Sequence, residues 1–165
     1  MNKALWSGIS ILILTGFMVN GKSQDQNARY KHPQYDISFE ATPNWDQEYG
    51  DFNGKVFRVT HPNKNMSISL SFVPGCRNPE GYLRRIYGLE GLACKKKQFD
   101  TLLNDYAAVV MRGHCLEGRE PFTRMVVGFP REKGLYLMDI SCPEDCDAVH
   151  RQSVREILSS VRIGA

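Results

Sequence analysis

The chain has 165 residues, 42% of them hydrophobic, and carries 21 basic and 18 acidic side chains for a formal net charge of +3. Two of the basic residues, Lys3 and Lys22, lie in an N-terminal segment with the pattern of an export signal, and without them the net charge falls by two. A nearly neutral chain of this size predicts one domain with a hydrophobic core, and it argues against nucleic acid as the main partner.

Residues 1–23 have the pattern of a secretory signal peptide. A basic residue precedes the apolar run 5–19, and the small residues Gly21 and Ser23 follow it. The run is short for a membrane-spanning helix, which needs about 20 apolar residues. We therefore expect cleavage after Ser23 or Gly21, no membrane span in the mature chain and a periplasmic or secreted location; an uncleaved anchor is the alternative. Asn65 begins an N-glycosylation acceptor pattern, which matters only in a eukaryotic secretory pathway.

Residues 24–34 are polar and are expected to form a flexible leader, followed by a single domain over residues 35–165. In that domain apolar and polar residues alternate in several short runs. The most regular is 67–73, where serines occupy every second position up to residue 71. Such alternation is typical of an antiparallel strand with one buried face. It predicts strands at residues 35–40, 55–60, 67–73, 98–103, 106–115, 125–129 and 135–142.

Two helices accompany these strands. The first is predicted from Pro79 or Glu80 to about Leu92, and the second from about Pro143 to Val161. The apolar stripe of the second helix consists of Cys146, Val149, His150, Ser153, Val154, Ile157, Leu158 and Val161. An isolated helix of this length is marginal in water, so the stripe is expected to pack on the sheet. The predicted fold class is α+β: an antiparallel sheet of about six to seven strands with a mid-chain helix and a long C-terminal helix packed on it.

Two segments of the sequence resemble the PsbP-like superfamily. Residues 35–39, leading to Pro43 and Trp45, resemble the start of such domains, and strand 134–142 with a helix ending at residues 157–161 resembles their end. The superfamily includes extrinsic photosystem proteins, a yeast Ran-binding protein, periplasmic DcrB-like proteins and secretion-effector chaperones. The resemblance implies a sheet sandwiched by helices and a non-enzymatic binding or assembly role. It supplies no functional residues, because the matching motifs are structural.

Five cysteines are candidates for disulfide bonds, because export to an oxidising compartment favours them. They are Cys76, Cys94, Cys115, Cys142 and Cys146. An odd count leaves at least one cysteine unpaired or bonded to another molecule. The sequence does not choose among the possible pairings, and these cysteines match no pattern of the superfamily.

A thiol-redox or metal site is the alternative use of three residues near the second helix. If Cys142 caps that helix, then Cys142, Cys146 and His150 lie near one line at spacings of four residues, with His114 or Cys115 as a further ligand. A disulfide is the simpler interpretation, because the spacing matches no standard zinc motif. No local signature supports a cysteine nucleophile, so the sequence predicts no catalytic residue, no resident metal and no cofactor.

Basic side chains in the middle of the chain are candidates for docking an acidic partner. The patch would combine Arg84, Arg85, Lys95, Lys96 and Lys97. A solvated helix face followed by a solvated loop explains the same residues without a partner.

Two functions follow from these features. The first is an exported, non-enzymatic protein-binding or assembly module of the cell envelope, such as an immunity-type inhibitor or an accessory factor, whose partner is another protein. The second is a thiol-redox or metal-handling protein that uses Cys142, Cys146 and His150. The first has the support of the export signal and of the PsbP-like resemblance.

Overall fold

The computed structural model describes residues 27–50, 56–63, 66–89, 93–117, 120–143 and 151–164, and in these ranges the chain forms ten strands and two helices. The strands are β1 (Ala28–Lys31), β2 (Ile37–Ala41), β3 (Asp46–Tyr49), β4 (Val56–Thr60), β5 (Ser67–Pro74), β6 (Ala93–Leu103), β7 (Tyr106–Glu117), β8 (Glu120–Arg131), β9 (Gly134–Pro143) and β10 (Arg162–Ile163). The helices are α1 (Pro79–Leu89) and α2 (Arg151–Ser160). No helix in these ranges is long and apolar enough to cross a membrane. The predicted signal peptide and Asn65 lie outside the described residues.

Seven strands form one antiparallel sheet in the order β3-β4-β5-β9-β8-β7-β6. A two-residue turn joins β6 to β7, and its residues Asn104 and Asp105 have positive φ angles of 49° and 64°. Two positive φ angles are the backbone of a type I′ hairpin turn, and Asn and Asp tolerate them better than other residues with a side chain. The chain therefore reverses direction at once, and Leu103 pairs directly with Tyr106.

The seven-stranded sheet is covered on both faces. A three-stranded sheet of order β1-β2-β10, together with α2, packs on one face, and α1 packs on the other. The larger core, under α2 and the small sheet, includes Phe39, Phe129, Met138, Ile140, Ile157 and Val161. The smaller core, under α1, contains Leu83, Val109, Met111, Cys115, Val126, Leu135 and Leu137. The predicted α+β fold class, with a helix in mid-chain and a C-terminal helix packed on an antiparallel sheet, is confirmed.

Hydrogen bonds as well as apolar contacts hold α2 in place. The Ser160 hydroxyl accepts the backbone N–H of Glu40 in β2 at 2.7 Å. The side-chain amide of Asn104, in the β6–β7 turn, donates to the carbonyls of Leu158 and Val161 at 3.2 and 3.0 Å. Because the last carbonyls of a helix have no partner inside it, this amide caps the helix end and ties it to the large sheet.

The segment expected as a flexible leader instead contains β1, which is a correction to the prediction. Only Tyr30 of this strand is buried, so the segment looks polar in the sequence although it pairs with β2. The Tyr30 ring stacks on Phe39 at 5.5 Å, and its hydroxyl donates to the carbonyl of Thr42 and accepts the N–H of Trp45. This amphipathic side chain therefore anchors the segment to the larger core, in addition to the pairing of β1 with β2.

Two boundaries also differ from prediction. Pro143, which was predicted at the start of the second helix, is the last residue of β9 and lies opposite Phe122, because β8 extends far enough to pair with it. The predicted helical residues 144–150 lie outside the described ranges. The second difference concerns Lys95, Lys96 and Lys97, which were expected in a loop and belong to β6, because β7 provides a partner along its whole length.

Candidate functional site

A cleft of about 420 Å³ lies between α2 and the strands β7, β8 and β9. Its apolar side chains are Met125, Ile140, Val154 and Leu158. Its polar and sulfur-bearing side chains are Arg112, Thr123, Cys142, Arg151 and Arg155. We call these nine residues the arginine cleft. Its volume falls within the range of about 300–1,000 Å³ that is usual for ligand sites.

Strand register places one arginine of the cleft beside its apolar floor. Arg112 in β7 lies opposite Met125 in β8, and Met125 lies opposite Ile140 in β9. Residues directly opposite each other on antiparallel strands point to the same face, with Cβ atoms about 4.5–5.5 Å apart. The guanidinium of Arg112 therefore rises from the same face as two apolar side chains that line the cleft.

The neighbouring row of the sheet is more polar. His114, Thr123 and Cys142 occupy paired positions on β7, β8 and β9. Nδ1 of His114 lies 3.3 Å from the Thr123 hydroxyl, and His114 is exposed. The imidazole is thus one hydrogen bond away from the cleft lining.

Helix α2 supplies the other two arginines. Arg151 and Arg155 are four residues apart, as are Val154 and Leu158, so each pair lies on one side of the helix. Both arginines are exposed, and within the described part of the chain neither has an ion-pair or hydrogen-bond partner. Like charges at this spacing destabilise a helix by about 0.2–0.5 kcal/mol. The described lining therefore carries three positive charges, of which the two on α2 repel each other.

The predicted basic patch is divided between the two faces of the large sheet. Positions 95 and 97 pair with His114 and Arg112, so they belong to the face of the arginine cleft. Position 96 pairs with Gly113 on the opposite face. The five positions therefore do not lie on one face of the sheet.

The two predicted arginines of the patch lie on α1, across the sheet from the cleft. Arg84 is within 3.8 Å of Glu80, and the guanidinium of Arg85 lies 5.3 Å from the centre of the Tyr82 ring. Both contacts are local to the helix and solvent-exposed. These arginines are therefore separate from Arg112, Arg151 and Arg155, which form the cleft and were not predicted as a site.

The described cysteines do not form the line of ligands that was considered from the sequence. Cys142 lies in β9, and both Cys142 and Cys115 are disulfide-bonded, whereas Cys76 has a free, half-buried thiol. Cys146, His150 and the side chain of Cys94 lie outside the described residues. A bonded Cys142 offers no thiolate to a metal.

The side chains that line the arginine cleft are suited to binding. In the described ranges no group of three or more His, Cys, Asp or Glu residues is placed to hold a metal. Arginine stays protonated and cannot exchange a proton near neutral pH, but its planar group binds carboxylates and phosphates through two parallel hydrogen bonds. The described lining therefore offers anion recognition beside apolar contact area.

An enclosed ion pair on the opposite face has a structural role. Nε of Arg124 donates to the two carboxylate oxygens of Asp139 at 3.0 and 3.1 Å, and Nη2 donates to the second of them. Register places both residues on the α1 side of the sheet, away from the cleft.

No protein-family model matches the sequence, and no curated protein matches it. Several solved structures are similar. PsbP (CyanoP) from Synechocystis sp. PCC 6803 gives a TM-score of 0.63 at 12% identity, covering 87% of this chain and 96% of that chain. The Ran-binding protein Mog1p of Saccharomyces cerevisiae gives 0.58 at 9% identity, over 83% of this chain and 95% of its own.

A third similar structure is LpqN of Mycobacterium tuberculosis, which is involved in cell envelope biogenesis. It gives a TM-score of 0.56 at 14% identity, covering 85% of this chain and 91% of that chain. Likeness at such identities establishes a fold and no more. The resemblance drawn from the residues at the two ends of the domain is confirmed at that level, and the chain has the PsbP-like fold.

Proposed function

We propose that this chain is an exported, non-enzymatic module that binds another protein, and that the arginine cleft is part of its binding surface. The observation that carries the proposal is the lining of the cleft. It combines three guanidinium groups with Met125 and three aliphatic side chains, and arginine and methionine are among the residue types enriched at protein–protein contacts.

The same lining argues against catalysis in the cleft. General acid–base chemistry needs a group that gains and loses a proton near the working pH, and arginine does not. Nucleophilic catalysis by cysteine needs a thiolate, and Cys142 is disulfide-bonded. His114 is not one of the described lining residues, and its Nδ1 contacts the hydroxyl of Thr123, which is one of them.

The compartment and the kind of role form the finer part of the proposal. The sequence of residues 1–23 favours export, and LpqN, which has the same fold, is involved in cell envelope biogenesis. Mog1p, also of this fold, is a Ran-binding protein. An accessory factor or an immunity-type inhibitor of the envelope fits both features, since each acts by binding a protein.

Cross-linking in living cells of the native host tests the proposal. The full chain with a C-terminal affinity tag is treated with a lysine-reactive cross-linker, purified under denaturing conditions and analysed by mass spectrometry. We expect one protein to be recovered in amounts comparable to the bait. The matched control is the same tagged chain without residues 1–23, which is expected to lose that protein because it stays in the cytoplasm. Recovery of the bait alone, in cells that export it, would contradict the proposal.

A further inference from the structure

We propose that the arginine cleft binds an extended acidic segment of the partner protein, with carboxylates against Arg151 and Arg155 and one apolar side chain inside the cleft. This inference rests on the proposed function and specifies the chemistry of the partner.

The charges of α2 favour an anionic occupant. Arg151 and Arg155 repel each other across one turn of α2, and neither has an ion-pair or hydrogen-bond partner in the described part of the chain. No carboxylate is among the described lining residues, and the partly enclosed carboxylate of Asp139 lies on the other face of the sheet. An anionic ligand relieves this repulsion, and a carboxylate does so with two hydrogen bonds to one guanidinium.

The apolar area beside the charges favours an occupant that also carries an apolar side chain. Met125 and Leu158 are only partly buried, although both pack against the larger core. Ile140, at the same site, is almost fully buried and forms the base of the cavity. An apolar side chain of a ligand would cover the remaining exposed area, and a purely ionic ligand would leave it in water.

The extent of the cleft favours a peptide over a single anionic headgroup. The described lining crosses three strands, because Arg112, Met125 and Ile140 lie opposite one another on β7, β8 and β9. Neighbouring strands are about 4.8 Å apart, so the distance from β9 to β7 is about 10 Å, which an extended peptide of about three residues spans. A fatty-acid carboxylate carries one negative charge, whereas an acidic segment can offer one carboxylate to each of Arg151 and Arg155.

Fluorescence anisotropy with defined probes tests the inference. The probe is a fluorescein-labelled peptide of four acidic residues around one leucine, and its comparison is the same peptide with glutamine and asparagine in place of the acids. We expect the signal-cleaved protein to bind the acidic peptide saturably and the neutral one at least about tenfold more weakly. Raising the salt concentration should weaken the acidic complex, because exposed charges are screened.

Variants locate the binding to the cleft. R151E/R155E should weaken the acidic peptide at least about tenfold, and R151Q/R155Q should weaken it less, because it removes attraction without adding repulsion. The matched control is R77E/R85E, which makes the same change of net charge at exposed positions before and on α1. It should stay within about twofold of the unchanged protein.

Three results would overturn the inference. The first is equal binding of the acidic and neutral peptides, and the second is equal loss in R151E/R155E and R77E/R85E. The third is dodecanoate binding more tightly than the peptide and displacing it, which would make the occupant an acyl anion. A chain that captures a protein in cells but ignores the acidic peptide would retain the proposed function and lose only this inference.

Discussion

At the scale of single residues, the ion pair between Arg124 and Asp139 is expected to contribute to the stability of the fold. It is the most enclosed of the described ion pairs, with side-chain exposures of 11% and 26%. D139N would remove the negative charge that the nearly buried Arg124 guanidinium contacts. Because removing one partner of a buried pair costs about 3–5 kcal/mol and this carboxylate is partly exposed, we expect about 2–4 kcal/mol less stability in urea unfolding.

The control for this prediction is an exposed ion pair in the same sheet. Arg58 and Glu48 are 3.2 Å apart on β4 and β3, with exposures of 45% and 58%. E48Q should change the free energy of unfolding by no more than about 1 kcal/mol, because water screens such pairs. Equal effects of E48Q and D139N would show that the enclosure of Arg124 has no energetic consequence.

Alanine substitutions at Gly75 and Gly134 distinguish the cost of backbone strain from the cost of a steric clash. Gly134 has a φ of 156°, and a Cβ added there would collide with the Val73 carbonyl and the Phe72 ring of β5. Gly75 has a φ of 66°, and a Cβ there would meet nothing within 4 Å. G75A should therefore lower stability by about 1 kcal/mol through strain alone.

G134A should cost more than G75A, because the added methyl group pushes β9 away from the carbonyl of β5 in addition to straining the backbone. We expect a loss of at least about 2–3 kcal/mol in urea unfolding. A G134A protein as stable as G75A would mean that the β5–β9 pairing adjusts without cost.

At the scale of elements, β6 is the last strand of the described sheet and carries three consecutive lysine positions. In the described part of the chain β6 pairs only with β7. An edge strand can pair with another molecule, and proteins prevent this with charged residues, lysine above all. We therefore expect Lys95, Lys96 and Lys97 to keep this edge from pairing, which is a use that does not depend on any partner.

Removing these lysines should promote association without unfolding the chain. K95T/K96T/K97T gives the edge uncharged residues with high β-propensity, and we expect faster growth of light scattering on agitation at physiological salt. The control R77T/R85T/K133T removes the same charge from an exposed loop, α1 and the β8–β9 turn. If both triple variants aggregate alike, net charge and not the edge explains the effect.

Elements with a clear apolar period could be predicted from the sequence. Ile157 and Val161 recur at helical spacing, and both are buried in the larger core, because the apolar face of a helix packs against the rest of the domain. The β1 strand could not be predicted, since Tyr30 is its only buried side chain and β2 supplies its pairing. Pairing also explains why Pro143 continues a strand, against a local signal for a helix start.

The site was harder to predict than the fold, because it depends on register. Arg151 and Arg155 are four residues apart beside an apolar stripe, and this spacing is the one local signal that they share a face of the helix. Nothing in the sequence indicates that Arg112 comes to the same cavity, since this requires the pairing of β7 with β8 and β9. The predicted patch followed neighbours in sequence and therefore mixed two faces of the sheet.

At the scale of the whole molecule, the large sheet separates two sides with different roles. One side holds the smaller core and the pair Arg124–Asp139 under α1, and the other holds the larger core and the arginine cleft. The cysteines also divide between these sides. Cys115 is buried with the α1 core, whereas Cys142 belongs to the core on the cleft side, so these two disulfide-bonded residues are not bonded to each other.

This separation predicts the disulfide pairing. Position 94 lies directly opposite Cys115 in the β6–β7 register, so we expect a Cys94–Cys115 bond, which leaves Cys146 for Cys142. Alkylation of the folded protein, followed by non-reducing peptide mapping, should label Cys76 alone and find these two linked pairs. A peptide that links Cys76 to another cysteine, or Cys115 to Cys142, would contradict the assignment.

The bonds should stabilise the molecule through its unfolded chain. Reduction before urea unfolding should lower stability by about 2–4 kcal/mol for each bond that closes a long loop, and by less for a bond between nearby residues. C76S, which removes the free thiol, should leave the peptide map unchanged and shift the urea midpoint little. Removing Cys94 should cost more than removing Cys146, because the bond from Cys94 to Cys115 encloses the whole β6–β7 hairpin and a bond from Cys146 to Cys142 encloses only a few residues.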